Sequence, residues 1–125
     1  MKNQIHRVES INKDILAAGY VVSIDGVKIQ TEHDYFNAME KALKLPSCHD
    51  NWNAYLDWIK DLDWISDTKI TIIFYHYSTM LRDDDATKEL IVRTFQTSIL
   101  PFWEEEVKHV VVGGEPKEFQ VYLVD

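Results

Sequence analysis

Cys48 and His49, a thiol next to an imidazole, are the side chains in this sequence best suited to nucleophilic chemistry. A catalytic pair needs the imidazole within hydrogen-bonding distance of the sulfur and a third group that orients it. Neighbouring residues rarely face each other in that way, and the sequence shows no orienting partner. We therefore expect that the chain is not an enzyme.

The sequence also lacks the residue spacings that are typical of metal-binding and phosphate-binding sites. The four histidines other than His49 lack the spacing of a zinc site such as HExxH. The run Asp83-Asp84-Asp85 lacks the alternating ligands, central glycine and final glutamate of an EF-hand loop, and it is predicted to cap a helix. Gly113-Gly114 stands in no dinucleotide-binding or phosphate-loop context and is predicted to form a turn. We expect neither a metal nor a cofactor.

The most distinctive chemistry in the sequence is acidic. Residues 50–67 contain five aspartates against one lysine, a net charge of −4, which is half of the formal −8 of the whole chain. Phosphate binding needs clustered lysine and arginine, so this balance argues against nucleic acid and anionic membranes as direct ligands. A basic partner and simple solubility remain as explanations of the charge.

A predicted helix carries this charge. Pro46 ends the segment before it, and Asn51 or Asp50 can cap its first turn. Apolar residues recur at helical spacing and should face the core: Trp52, Tyr55, Leu56, Ile59 and Leu62. The other side carries Asn53, Asp57, Lys60, Asp61 and Trp64. A helix with an apolar back and an acidic front can be presented to a basic partner.

The elements around this helix alternate in type. Strands are predicted at 20–24, 70–75 and 119–124, and helices at 31–45, about 51–62 and about 86–99, after which Pro101 kinks the last helix or starts a new turn. Residues 1–18 form an N-terminal helical extension in this interpretation, and residues 110–112 can add an antiparallel edge strand. Strands separated by helices indicate parallel pairing. We expect one α/β layered domain over residues 1–125 with a three-stranded, mainly parallel sheet packed with helices.

The order and spacing of these residues resemble the barstar family, whose members are small intracellular inhibitors of secreted ribonucleases related to barnase. The resemblance covers about residues 20–125. Its most specific part is the run 51–54, Asn-Trp-Asn-Ala, followed by Asp57 and by Asp-Leu-Asp-Trp at 61–64. Supporting marks are Asp-Gly at 25–26, Leu-Pro at 45–46 and Phe-Trp at 102–103.

The resemblance implies a barstar-like fold and a function without chemistry. In the family, the helix matched by residues 51–62 and the turn before it plug a ribonuclease active site, where acidic side chains take the place of RNA phosphates. Asp57 matches the family's central partner-contacting aspartate. The positions at which the resemblance implies partner contacts are Asp57, Asn53, Asp61, Lys60, Leu56, His49, Asp50, Trp58 and Trp64.

Departures from the family pattern bear on specificity. Asn53 stands where the family usually has a second aspartate, and Leu56 where a tryptophan is found. The turn 47–50 is one residue shorter than usual and lacks its tyrosine and glycine, and Thr97 lies near the place of a further contacting glutamate. The partner can therefore be a toxin other than barnase, ribonuclease or not.

The tryptophans leave two interpretations open. Trp58 and Trp64 can anchor an interface, since aromatic side chains bury much area at little entropic cost, or they can pack against a neighbouring helix. Trp52 lies on the apolar stripe, so we expect it to be structural.

The remaining sequence features bear on location and partners. A single cysteine excludes an intramolecular disulfide, and no apolar run approaches the roughly 18 residues of a membrane span. The N-terminal run MKNQIHRVES has no signal-peptide core. We expect a cytoplasmic protein, a monomer when free, whose partner is a basic toxin or ribonuclease. The alternative is a regulatory or protein-interaction domain of the same fold whose partner is not a toxin.

Overall fold

A computed structural model describes residues 2–125 and contains a four-stranded sheet. The strands are β1 (Ile5–Val8), β2 (Tyr20–Asp25), β3 (Lys69–Tyr75) and β4 (Glu118–Val124), and they lie in the order β1-β4-β3-β2. The three pairings within this sheet are parallel, so each connection must cross back over the sheet. The predicted α/β class is confirmed.

Helices supply these connections. They are α1 (Lys13–Leu16), α2 (Glu32–Leu43), α3 (Trp52–Ile59), α4 (Asp85–Thr94) and α5 (Val107–Val110). The chain stays helical from α4 to α5 through two wider π-helical turns, Phe95–Ile99 and Phe102–Glu106, on either side of Pro101. Since proline has no backbone N–H and crowds the preceding turn, local widening lets the helix continue past it.

Side-chain caps fix where the helices begin. Thr31 and Asp34 form a reciprocal capping box at the start of α2, which confirms the helix predicted after Thr31. Asn51, and not Asp50, caps α3 by accepting a hydrogen bond of 3.0 Å from the amide of Ala54. Asp84 caps α4 in the same way, as the aspartate run predicted.

The core lies between the sheet and the helices. The five inner residues of β3 are buried on both faces, as the continuous apolar run predicted. Tyr35 from α2 and Tyr55 from α3 are fully buried, and their hydroxyl oxygens are 2.6 Å apart. Because Tyr55 and Ile59 hold one side of α3 against this core, the opposite side of α3 faces outward.

The predicted N-terminal helix is wrong for residues 5–8, which form β1. Ile5 and Val8 fit helical spacing, but they pair with Val121 and Val124 of β4 and make a fourth strand. Asn3 secures the pairing, because its side chain donates to the Leu100 carbonyl and accepts from the Phe119 amide. The expected three strands are therefore four, and helix is limited to α1 within this extension. Met1, the first residue of the predicted extension, lies outside the described residues.

Two further boundaries differ from the prediction. The acidic helix ends at Ile59, and Leu62 is buried beyond its end in a left-handed conformation with φ of 50°. Residues 110–112 form no strand: Val110 ends α5, and Val112 is fully exposed in the turn that follows. The turn residue Gly113 has φ of 71°, a left-handed conformation that glycine adopts without steric cost. Among residues 2–125, no helix is long and apolar enough to span a lipid bilayer.

Candidate functional site

The outward side of α3 is an open polar surface. Asn53 and Asp57 are exposed and lie four residues apart, which places them one above the other on the helix. Within residues 2–125, neither side chain makes a hydrogen bond or an ion pair. Leu56 lies half-buried beside them. The Asp57 carboxylate is therefore available to a cation from outside the molecule.

The C-terminal end of α3 adds further charge. The Lys60 ammonium lies 5.8 Å from the centre of the Phe102 ring, so its stem folds over the helix that follows Pro101. Asp61 and Asp63 lie close together, and burial followed by the neighbouring Asp63 charge raises the pKa of Asp61. The indole of Trp103 donates to the Ile59 carbonyl at 2.9 Å and so satisfies the end of the helix.

The tryptophans pack against the molecule itself. Trp58 and Trp64 meet edge to face with ring centres 6.3 Å apart. The indole of Trp64 donates to the Leu43 carbonyl at 2.8 Å and so joins the segment after α3 to the end of α2, although 40% of the residue stays exposed. Trp52 donates to Glu32 at 3.0 Å and packs among buried aromatic rings, as expected of a structural residue.

The turn before α3 is held by α2. His49 and Asp50 are exposed, and both have left-handed backbones, with φ of 50° and 53°. Non-glycine residues adopt this conformation at some cost, so the surrounding structure must stabilise it. The Nδ1 of His33 lies 2.7 Å from the Asp50 carboxylate, and the Asn37 amide lies 3.0 Å from the other ring nitrogen. The hydrogen bond and charge of Asp50 raise the pKa of His33.

Cys48 is the buried residue of this turn. Its thiol is buried, and its backbone amide donates to the Glu40 carboxylate at 2.8 Å. Burial, and next the Glu40 charge, raise the pKa of the thiol to about 11, so it stays protonated at neutral pH. The thiol form of Cys48 is therefore favoured over the thiolate that a nucleophile needs. Within residues 2–125, no three His, Cys, Asp or Glu side chains are grouped so that they can hold a metal ion.

The structure sorts the residues predicted to contact a partner into three groups. The open face of α3 carries Asn53, Leu56 and Asp57; its C-terminal end carries Trp58, Lys60, Asp61 and Trp64; the preceding turn carries His49 and Asp50. Within residues 2–125, Asn53 and Asp57 of the first group make no side-chain hydrogen bond or ion pair, and Leu56 packs against the core. Members of the other two groups are bonded or stacked within the molecule. Thr97 is exposed on the helix after α4, and its hydroxyl donates to the Arg93 carbonyl.

Sequence reasoning missed the residues of α2 that support the turn. His33, Asn37 and Glu40 recur at spacings of four and three, so they form one polar stripe on α2. That stripe was visible in the sequence, but the segment that it contacts was not. Residues 45–50 run back along α2 through left-handed residues that are not glycines, and the sequence does not show which residues adopt that conformation.

Comparison with known protein families identifies the family to which this fold belongs. The family model described as Barstar (barnase inhibitor) matches residues 20–123, which is most of the chain. The chain belongs to the barstar family. The matched range begins at β2, so β1 and α1 precede it. No curated protein and no solved structure gave a significant match.

Membership in the barstar family confirms the resemblance on which the fold was predicted. The family is one of ribonuclease inhibitors, and its general function is therefore inhibition by binding and not catalysis. The matched range contains α3, its acidic end and the turn before it.

Proposed function

We propose that this barstar-family chain inhibits a basic toxin, with a ribonuclease as the first expectation, by covering the toxin's active site with α3 and the turn 47–50. The observation that carries the proposal is the exposed Asp57 carboxylate, which has no hydrogen bond or ion pair within residues 2–125. A ribonuclease site binds phosphates with arginine, lysine and histidine, so a carboxylate presented there takes the place of a phosphate.

The charge around Asp57 supports this role. Half of the chain's formal −8 lies within residues 50–67, so the surface around α3 attracts a basic protein and speeds encounter at low salt. Truncating one partner of a buried charge pair at an interface costs about 2–5 kcal/mol. The barnase–barstar complex is among the systems that define this range, so the magnitude belongs to the family and not to this chain alone.

The turn contributes shape to the proposed surface. Residues 47–50 are tied to α2 through Glu40 and His33, so their conformation exists before a partner arrives. A segment ordered in advance loses less conformational entropy on binding, and the affinity rises accordingly.

The remaining properties follow from the same proposal. Residues 1–125 act as one unit, since β1 pairs with β4 and Asn3 bonds to residues far along the chain. The protein acts in the cytoplasm, where Cys48 stays reduced, and it needs neither metal nor cofactor. It is not an enzyme, and it binds neither nucleic acid nor membranes directly.

The test is inhibition of the toxin encoded beside this chain's gene, with barnase as a reference enzyme. Asp57→Ala should weaken inhibition by at least about 30-fold, the equivalent of about 2 kcal/mol, and should reduce the salt dependence of the association rate. Asp83→Ala removes an exposed aspartate before α4 and is the matched control. Unchanged inhibition by Asp57→Ala would show that α3 is not the contact surface.

A second function on the same fold is a protein-interaction domain whose partner is not a toxin. The observation that favours it is the turn 47–50, which lacks the tyrosine and glycine usual in the family and is closed against α2. Capture from the native host of a housekeeping protein, lost with Asp57→Ala, together with the absence of inhibition of the neighbouring gene's product, would support this function over the first.

A further inference from the structure

Within residues 2–125, the outer edge of β2 pairs with no other strand, and β2 is far from α3 in the sequence. β2 is the last strand of the sheet and pairs on one side only, with β3. Within residues 2–125, positions 21–24 make no backbone hydrogen bond beyond that pairing. Backbone donors and acceptors along such an edge are a template for another extended strand.

A groove of about 440 Å³ runs along this edge between β2 and α2. Its walls come from β2, from α2 and from the short segment that joins them. The apolar side chains that line it are Val22, Ile24, Ile29, Ala38 and Ala42. The two alanines lie one turn apart on α2 and are small, so a second helix can approach α2 closely at this point.

The charges around the groove are balanced overall and unevenly distributed along it. Two aspartates and two lysines line it, so its net charge is zero in a chain of −8. Lys41 lies beside the start of β2, because the Tyr20 hydroxyl donates to the carbonyl of the adjacent Ala42 at 2.8 Å. Asp25 is the last residue of β2, and Asp34, in the first turn of α2, lies with it at the opposite end. Lys28 lies near Asp25 and offsets one of these two negative charges, so this end keeps a net charge of −1 against the +1 of Lys41.

We propose that a second copy of this chain docks on the groove, β2 against β2 in antiparallel orientation about a two-fold axis. Such an axis reverses the strand direction, so Lys41 of each copy meets the Asp25 and Asp34 end of the other. Four strands from each copy then form one continuous sheet. The same two-fold brings the alanine faces of the two α2 helices together and pairs the outer β2 edge of each copy, while the β1 edges stay at the two ends of the joined sheet.

The distribution of charge favours docking of a second copy of the chain over a monomer. The expectation of a monomer rests on the overall −8, which repels copies that meet at most of their surface. The groove is neutral, and its two ends are complementary under the two-fold, so this patch escapes that repulsion. None of its lining residues belongs to α3 or the turn 47–50, so each copy keeps its proposed toxin-binding surface free, and the dimer does not rest on that function.

Sedimentation of the full chain from about 10 µM to about 1 mM tests the proposal, since an interface limited to one strand edge and one face of α2 should associate weakly. The wild type should shift from monomer to dimer across that range, and hydrogen exchange at positions 21–24 should slow as the dimer forms. Ser23→Lys places a charge at the exposed middle of β2 and should shift the association constant at least 10-fold toward monomer.

Two matched variants secure the result. Ser66→Lys introduces the same charge at an exposed serine off the groove and should leave association unchanged. Lys41→Glu lies on α2 and reverses the complementarity without touching the strand, so it should also favour monomer. Monomer at every concentration overturns the proposal and leaves the edge to an extended segment of another protein, as does a dimer that tolerates both Ser23→Lys and Lys41→Glu.

Discussion

The turn 47–50 and the open face of α3 are adjacent in sequence and opposite in how their polar groups are satisfied. In the turn, the Cys48 amide bonds to Glu40, and the Asp50 carboxylate bonds to His33. On the helix face, Asn53 and Asp57 have no hydrogen-bond or ion-pair partner within residues 2–125. One region is therefore tied into the molecule, and the next is left open.

This difference gives the two regions different roles: the turn supplies a fixed shape, and the open face of α3 supplies charge. A turn with two left-handed non-glycine residues keeps its form only if its surroundings stabilise that form, and the side chains of α2 do so. A helix held by a buried face needs no help from its exposed carboxylate, which can stay unpaired at little expense in water. We therefore expect changes in the turn to alter stability, and changes on the open face to alter binding alone.

The largest effect on stability should come from Glu40→Ala. This change leaves the Cys48 amide without its charged acceptor, and we expect the free energy of unfolding to fall by about 1 kcal/mol. Asp57→Ala should change it by less than about 0.5 kcal/mol. Urea unfolding monitored by tryptophan fluorescence measures both values.

Two controls sharpen that contrast. Glu89→Ala removes an exposed glutamate from α4 and should leave stability within about 0.5 kcal/mol of the wild type. Glu40→Gln keeps an oxygen acceptor and should retain part of the lost stability. If Asp57→Ala destabilises the chain as much as Glu40→Ala does, the two regions do not divide shape from charge.

A smaller, pH-dependent effect should come from His33→Gln. Asp50 raises the pKa of His33 in the folded state, so the folded protein holds that proton more tightly than the unfolded chain does. The added stability is fully present below the ordinary histidine pKa of about 6.5, and it is lost as pH rises through the higher folded value. The wild type should therefore exceed His33→Gln in stability by more at pH 5.5 than at pH 8.5.

Urea unfolding at the two pH values measures this difference, and an NMR titration of His33 measures its pKa directly. Asp50→Asn should return the His33 pKa toward its ordinary value, whereas Asp57→Asn should not move it. An equal stability difference at both pH values would mean that the charge of His33 does not hold the turn.

Local signals in the sequence predicted most of the elements that place the site. Thr31 marked the start of α2, and the pair Asn51 or Asp50 marked the start of α3, because a cap is a contact over three residues. The apolar run at 70–75 predicted a central strand because burial on both faces leaves no polar side. The strand β1 could not be predicted in this way, since its pairing joins Ile5 to Val121 and its spacing also fits a helix.

The candidate site was likewise predictable where it depends on local sequence, and not where it depends on contacts between distant residues. The period of α3 placed Asn53 and Asp57 on one outward face, and the structure keeps them there. The support from His33 and Glu40 could not be predicted, because it depends on how residues 45–50 fold back along α2. Pro46 marked the break before the turn, but the left-handed residues His49 and Asp50 are not glycines, so the sequence did not mark the direction in which the chain bends.

The smallest expected effect is at Asp61, which lies where the open face meets a packed one. Burial and the adjacent Asp63 charge raise the pKa of Asp61, so its ionised form is disfavoured in the free protein. Asp61→Asn should therefore raise the free energy of unfolding at pH 7, by up to about 0.5 kcal/mol for a partly exposed site. The gain should vanish near pH 3, where Asp61 is protonated in both states and carries no charge to relieve.

The same change should weaken binding to a basic toxin, because it removes a negative charge from the surface that the toxin approaches. Asp57→Asn is the matched control, and it should weaken binding without raising stability. A destabilised Asp61→Asn protein would show that the Asp61 carboxylate belongs to the tied region of the molecule and not to its open face.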